Sequence, residues 1–279
     1  MDNNEFKILF FGDLVGKIAR RGVATYLQEC KNNNTYPDFI IANVENASHG
    51  FGLTEKNYNE LSEAGIDCFT SGNHIWDKKE IFNYIDSADK LIRPINYPSN
   101  TPGKGSVIIE KNGIKIAVIN ALGRVFMPPI DSPIEILKTE IAKLKEITPY
   151  IIVDFHAEAT AEKLCTGRYL SEMGITAFFG THTHVQTVDE KIINGMGYLT
   201  DVGFCGSDDS IIGMEYSTSL KRLITLLPER YEVATNPPCV INAVEISICD
   251  EKVTAIKRIN VKIDMNEKEL EVNVEHNSV

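Results

Sequence analysis

The segment Gly180-Thr181-His182-Thr183-His184-Val185 closes the apolar run Ile175-Thr176-Ala177-Phe178-Phe179. Two histidines two positions apart share a face only on an extended backbone; on a helix they diverge. Neutral imidazole is the commonest protein metal ligand, so such a pair at a strand end is half of a metal site. Taken alone, it is equally well a polar turn with two exposed histidines. Other apolar runs end in the same way. Asp13 follows Phe6–Gly12, Glu45 and Asn46 follow Phe39–Val44, Asn73 and His74 follow Asp67–Ser71, and His156 follows Tyr150–Phe155. Each has a plainer reading: Asp13 as a helix cap, Glu45-Asn46 as a turn, His74 or His156 as a structural histidine. Their recurrence favours a site, because sites in open α/β sheets form outside the carboxyl ends of the strands.

An Asp/Glu/Asn/His donor set suits iron, manganese or zinc better than magnesium or calcium, which prefer all-oxygen shells. Six or seven donors exceed one tetrahedral zinc. They match two metals that share a carboxylate, roughly 3.5–4 Å apart. Such a pair turns water into hydroxide near neutral pH, aims it in line at phosphorus and neutralises the phosphoryl oxygens. The departing oxygen needs a proton, and His74, beside Asn73, is placed to give it.

Lys+Arg 28 against Asp+Glu 39 leaves a net charge of −11. That argues against a nucleic-acid duplex as partner, where affinity comes from Lys and Arg on phosphates. A phosphate handled by so acidic a chain needs local positive charge, which a bound metal supplies. Lys17, Arg20, Arg124 and Arg168 read as ordinary surface charges. Thr101–Ser106 lacks the spacing of a phosphate-binding loop. No stretch approaches the ~20 apolar residues of a membrane helix, and Ile8–Phe11 is too short for a signal peptide. The cysteines lack any C-x-x-C spacing and read as reduced thiols, so the expected location is cytoplasmic and soluble.

The elements that must position these residues alternate as an α/β pattern. Strands are predicted over 6–12, 39–44, 67–71, 150–155 and 175–179, helices over 19–31, 55–64, 133–147 and 159–172. Thr54 is a good N-cap for the second helix, and Asp77 is expected to cap another over 78–87. Residues 91–108, rich in Pro and Gly, form a loop. Asn112-Gly113 joins a hairpin of 106–110 and 114–120, exposed β structure suited to self-association. Residues 198–201 read as β, and 240–248 with 253–263 as a second hairpin. A hydrophobic fraction of 43% over 279 residues supports a sizeable core. With no linker to divide it, the chain reads as a single domain over 1–264 and a polar tail over 265–279, in which His276 is a solvated bystander.

Phe11-Gly12-Asp13-Leu14-Val15-Gly16, Val44-Glu45-Asn46-Ala47, Ser71-Gly72-Asn73-His74, Asp154-Phe155-His156-Ala157-Glu158 and Gly180-Thr181-His182-Thr183-His184-Val185 resemble the ordered motifs of the calcineurin-like metallophosphoesterases. More closely, the chain resembles their bacterial YmdB-type branch, from about residue 6 to about residue 262. The resemblance implies a four-layer α/β/β/α sandwich and a dinuclear site of iron or manganese. It also implies phosphodiesterase activity on 2′,3′-cyclic nucleotides. By analogy Asp13 binds one metal, Glu45 bridges, Asn46 assists, Asn73, His156 and His182 hold the second metal, His184 returns to the first, and His74 acts at the substrate. Val15 stands where the broad superfamily has a histidine, and Glu45 where it has an aspartate. Both match the narrower branch and leave the first metal one imidazole short.

The resulting expectation is a dinuclear metal phosphodiesterase, iron first and manganese or zinc next, acting as a homo-oligomer on a small phosphodiester or cyclic nucleotide. A phosphomonoesterase acting on a phosphoprotein, or a regulatory protein that uses the metal site as a sensor, is the alternative. Asp154, in mid-strand, reads as support for a histidine or as a buried pair elsewhere. Glu158 has no assigned task.

Overall fold

The computed structural model describes residues 5–265. One six-stranded sheet contains β1 (Phe6–Leu14), β2 (Phe39–Asn43), β3 (Cys68–Thr70), β10 (Phe204–Ser207), β11 (Cys239–Cys249) and β12 (Lys252–Ile263). Its order is β12-β11-β10-β1-β2-β3. The second contains β4 (Ser106–Lys111), β5 (Ile114–Leu122), β6 (Ile151–His156), β7 (Ala177–Thr181), β8 (Lys191–Ile193) and β9 (Met196–Leu199), in the order β4-β5-β6-β7-β9-β8. The strands that end at the candidate residues run parallel within each sheet: β1, β2 and β3 in the first, β6 and β7 in the second.

Strands covered on both faces read as nearly continuous apolar runs, and the period of two sorts their side chains into three layers. Leu9, Phe11, Ile40 and Ala42 face α1 (Gly16–Asn32) and α2 (Glu55–Ala64) on the outside of the first sheet. Ile119, Ile151, Val153 and Phe178 face α3 (Pro133–Lys145) and α4 (Thr160–Ser171) on the outside of the second. Ile8, Phe10, Phe39, Ile41, Ile116, Val118, Ile152 and Phe179 fill the space between the sheets. The architecture is therefore the expected α/β/β/α sandwich. The inward positions turn polar at the carboxyl ends, where Asn43, Thr70, Asp154, His156 and Thr181 follow the same alternation and are all buried.

Asp13 does not follow it. Strict alternation would point it with Leu9 and Phe11 toward the helices. The pairing of β1 with β2 slips between Phe11 and Asp13, and a bulge turns the next side chain to the other face. Gly12 makes the slip possible, because a Cβ there would run into the backbone carbonyl of Gly203.

Most predicted elements are present, with Thr54 accepting from Asn57 N as a true N-cap. Three differences matter. Asp77 caps nothing: only a short 3₁₀ turn over Lys79–Asn83 follows, and the carboxylate goes to His74 instead. The paired histidines are not on extended backbone: β7 ends at Thr181, and His182 and His184 have φ of 104° and 60°. The segment after Asp201 carries β10 and α5 (Tyr216–Thr225), neither of them foreseen. Of the expected tail, Met265 is buried in the core, and residues 266–279, with His276, lie outside the described residues. Among the described residues no helix is long and apolar enough to cross a membrane.

Candidate active site

All eight sequence-predicted residues meet on the rim shared by the two sheets. Asp13, Glu45, Asn46, His156 and His184 are buried, and Asn73, His74 and His182 are half-buried. Glu45, His156 and His182 form a cluster whose donor atoms lie within 4.8 Å of one another, close enough to hold one cation. Around His156 Nε2 stand Glu45 Oε1 at 3.0 Å, His182 Nδ1 at 3.0 Å and Asn73 Oδ1 at 3.2 Å. Three acceptors round one nitrogen are more than a single proton can satisfy. Among the described residues Asp13 Oδ1 and Asn46 Oδ1 are buried without a partner, and buried oxygens in that state are costly. Gly72 leaves the space open, because a Cβ there would collide with His156 Nε2 and Glu45 Oε2. The donor set thus fits a metal.

Each of the three histidines is tied outward through one ring nitrogen, which leaves the other directed at the cluster. His156 Nδ1 lies 2.9 Å from Thr181 Oγ1, and that hydroxyl donates to Asp154 Oδ1 at 2.7 Å. Asn43 holds the other Asp154 oxygen at 3.0 Å. The hydroxyl's proton being spent on Asp154, its oxygen accepts from Nδ1–H. His182 Nε2 lies 3.1 Å from Glu158 Oε2, which accepts from it and leaves Nδ1 as the inward lone pair. His184 Nδ1 donates to the Ile212 carbonyl at 2.8 Å, and Nε2 lies 4.0 Å from Asp13 Oδ2. Such outward hydrogen bonds set the tautomer and ring orientation of metal-ligating histidines. The backbone completes the arrangement: His182 N–H donates to Asp13 Oδ2 at 3.0 Å and His74 N–H to Glu45 Oε2 at 2.8 Å.

Electrostatics follow from burial and these contacts. Burial pushes the Glu45 carboxyl up, but the His156 imidazole and the hydrogen bonds from His156 and His74 outweigh it and hold Glu45 at about 2. Burial pushes His156 down, and Glu45, Asp13 and Asp154 reverse it to about 9. Burial and the neighbouring His156 lower His182 to about 3, so it is neutral. Burial raises Asp154 to about 7 and raises Asp13 above the usual carboxylate range.

The cluster is the floor of a cavity of about 430 Å³ that also takes in His74, Phe51, Glu158 and an apolar wall from the 211–231 segment. His74 stands on Phe51, ring centroids 5.0 Å apart, and its Nδ1 is held by Asp77 Oδ2 at 2.9 Å. His49, the other histidine near these motifs, is exposed and does not line the cavity. Arg20 is turned away, bound to Glu60 Oε2 at 2.9 Å and the Ala47 carbonyl at 2.6 Å. Sequence reasoning missed Asp77 as the partner of His74, Glu158 as the partner of His182, and the whole apolar wall. The spacing of Leu220, Leu223 and Ile224 marks an apolar stripe on a helix, but of these it is Leu223 that lines the cavity, so the stripe signals the helix and not the wall.

Two sheets closed over one another, with carboxylates and imidazoles of both gathered on a common rim, constitute the calcineurin-like metallophosphoesterase arrangement, a metal-dependent hydrolase. The chain belongs to the family described as YmdB-like protein, which matches residues 9–259. It is 48% identical over 252 residues to the 2′,3′-cyclic-nucleotide 2′-phosphodiesterase of Bacillus subtilis (strain 168), covering 90% of this chain and 94% of that one. Its fold matches the crystal structure of a hypothetical protein from Thermus thermophilus with a TM-score of 0.86 at 36% identity, over 92% of this chain and 100% of that one. It also matches that of a novel phosphatase from Mycoplasma pneumoniae, TM-score 0.85 at 34% identity, over 96% of each chain.

Proposed function

We propose that this chain is a cytoplasmic phosphodiesterase with two metal ions that opens 2′,3′-cyclic nucleotides, and that residues 1–264 are one catalytic domain. The carrying observation is the orientation of the histidines: three rings, each fixed outward by a different partner, turn their remaining nitrogens toward buried carboxylates. Support comes also from the cavity lining, which among the described residues includes Glu45 and Glu158 but neither Lys nor Arg. A phosphate there needs a cation to offset its charge. The activity named for the Bacillus relative supports cyclic nucleotides as the substrate class.

In this reading Asp13, Asn46 and His184 would hold one metal and Asn73, His156 and His182 the other, with Glu45 a ligand available to both. Iron is the first choice, with manganese or zinc next. Bound there, the pair would supply Lewis acidity to the phosphoryl oxygens and lower the pKa of water. The chain's own residues do the rest. The backbone N–H groups of His74 and His182 orient Glu45 and Asp13. Asp77 fixes His74 through Nδ1–H, so Nε2 is the nitrogen that meets the substrate, and in the imidazolium form Nε2–H passes its proton to the departing ribose oxygen and leaves the neutral ring behind. Self-association through β4, the edge strand of its sheet, belongs to the same reading.

The test uses protein purified without added metal. Metal content is measured first, followed by turnover of adenosine 2′,3′-cyclic phosphate against adenosine 2′- and 3′-monophosphates. Two equivalents of metal and a strong preference for the cyclic diester are expected. Preference for the monoesters would favour a phosphatase instead, the activity by which the Mycoplasma protein is described.

A further inference from the structure

The cavity has two chemically different halves. Its floor is the carboxylate and imidazole cluster. The opposite wall is built by Ile211, Ile212, Met214, Leu223 and Tyr231, with Phe51 at the junction. Phe51 packs against His74 at 5.0 Å and against Tyr231 at 6.5 Å with the rings tilted by 38°. The aromatic surface therefore runs outward from the proposed proton donor. The Arg222 guanidinium, which is not among the residues that line the cavity, lies 4.7 Å over the Tyr231 ring. Leu223 is 73% exposed although it projects from a helix of a folded chain, so its apolar surface is not used by the core.

One polar side chain of α5 shares this wall. Ser219 is 6% exposed, lines the cavity, and its Oγ has no hydrogen-bond partner among the described residues. A buried hydroxyl without a partner is unusual. A hydroxyl both donates and accepts, so it can meet either kind of edge group.

We infer that the wall of Phe51, Leu223 and Tyr231 is a nucleobase subsite that accepts purines and pyrimidines alike, with the rotatable hydroxyls of Ser219 and Tyr231 as its side-chain hydrogen-bonding positions. This inference rests on the cyclic-nucleotide reading above. In a nucleoside 2′,3′-cyclic phosphate the base hangs from the carbon adjacent to the phosphate-bearing pair. With the phosphate over the ligand cluster, the base lies in the same cavity, and the apolar half is the surface that suits its faces. Stacking on aromatic and aliphatic side chains does not distinguish bases, because every base has a π-face. A wall without carboxylate, amide or guanidinium groups has no fixed donor–acceptor pattern with which to select one. The site thus reads the cyclic phosphate and the presence of a base, and not which base it is.

The test uses the metal-loaded full chain and three substrates: adenosine and cytidine 2′,3′-cyclic phosphates, and methyl riboside 2′,3′-cyclic phosphate, which keeps the ring phosphate and lacks the base. The wild type is expected to show a KM at least roughly tenfold lower for both nucleotides than for the base-free compound, the magnitude of one stacked base. The two nucleotides are expected within about threefold of each other, since stacking tolerates either base. In Leu223→Asp and Tyr231→Ala the ratio of base-free to nucleotide KM is expected to fall toward one. Leu223 is a surface position, so its variant tests the wall without disturbing the core. Equal KM values for nucleotide and base-free substrates in the wild type would overturn the subsite alone, as would variants that shift both substrates together or neither. Turnover of none of the three would overturn the substrate reading and the subsite with it.

Discussion

At the level of single residues, the site depends on which nitrogen of each imidazole carries hydrogen. Thr181 makes that choice for His156, standing between its Nδ1 and Asp154. Thr181→Val keeps the shape and removes the hydroxyl. Supporting partners of this kind are worth 10–100-fold in metal affinity, so a loss of about that size is expected in competition with a chromophoric chelator. The protonation of His156 makes a second prediction. Its folded pKa of about 9 lies above the ordinary 6.5, so in the metal-stripped protein its contribution to stability is full below pH 6.5 and fades as pH rises through 9. Glu45, held at about 2 against an ordinary 4.5, contributes fully above pH 4.5 and fades toward pH 2. From this pair, the thermal midpoint of the stripped protein is expected to fall between pH 6.5 and 9. Metal must displace the same proton, so metal affinity is expected to climb about tenfold per pH unit across that window. Titration calorimetry in buffers of different ionisation enthalpy reads the released proton directly.

The residue types of the site were legible because ligand chemistry draws on few side chains and each stood at the end of an apolar run. Their orientations were not. The spacing of His182 and His184 predicts extended backbone, yet β7 ends at Thr181 and both histidines take positive φ. They reach the site because Glu158 and the Ile212 carbonyl catch the outer nitrogens. Those partners belong to other parts of the chain, and no local periodicity reports them.

At the level of elements, the parallel strands and α1 to α4 follow from apolar runs, period and caps. Thr54 shows the local case: its hydroxyl accepts from Asn57 N, and Thr54→Ala is expected to cost about 1 kcal/mol, read as a shift in urea midpoint. Asp77 shows the failure of the same logic, since a carboxylate with a nearer imidazole partner does not cap a helix. The bulge in β1 was hidden as well, because Gly12 is small for the sake of Gly203, which lies far along the chain. Gly12→Ala pushes a methyl group into that carbonyl. It is expected to destabilise by roughly 1–3 kcal/mol, as overpacking does. Asp13 should also move, so metal content should fall further than in Thr54→Ala at equal stability.

At the level of the whole molecule, the candidate ligands come from both sheets. Asp13, Glu45, Asn46 and Asn73 end or follow strands of the first; His156, His182 and His184 end or follow strands of the second. The mid-sheet contact is apolar, from Phe10, Phe39, Ile152 and Phe179, and is built without charged groups. At the rim a carboxylate side faces an imidazole side, joined by charge and by a few polar contacts such as Asn43 to Asp154 and His182 N–H to Asp13. A cation bound there therefore ties the two sheets at one edge. Ligand that binds only the folded state adds stability in proportion to the logarithm of its concentration over Kd, about 2.7 kcal/mol at a hundredfold excess. Chelation is expected to lower the thermal midpoint, and added manganese to restore it in a concentration-dependent way. Magnesium, which prefers oxygen ligands and keeps its water, should restore little. Amide exchange locates the effect: protection should be lost on chelation around Glu45, Asn73 and His182 while Ile41 and Ile152 stay protected. Equal loss in the strands would mean that the metal supports the core itself, contrary to an apolar seam that stands alone.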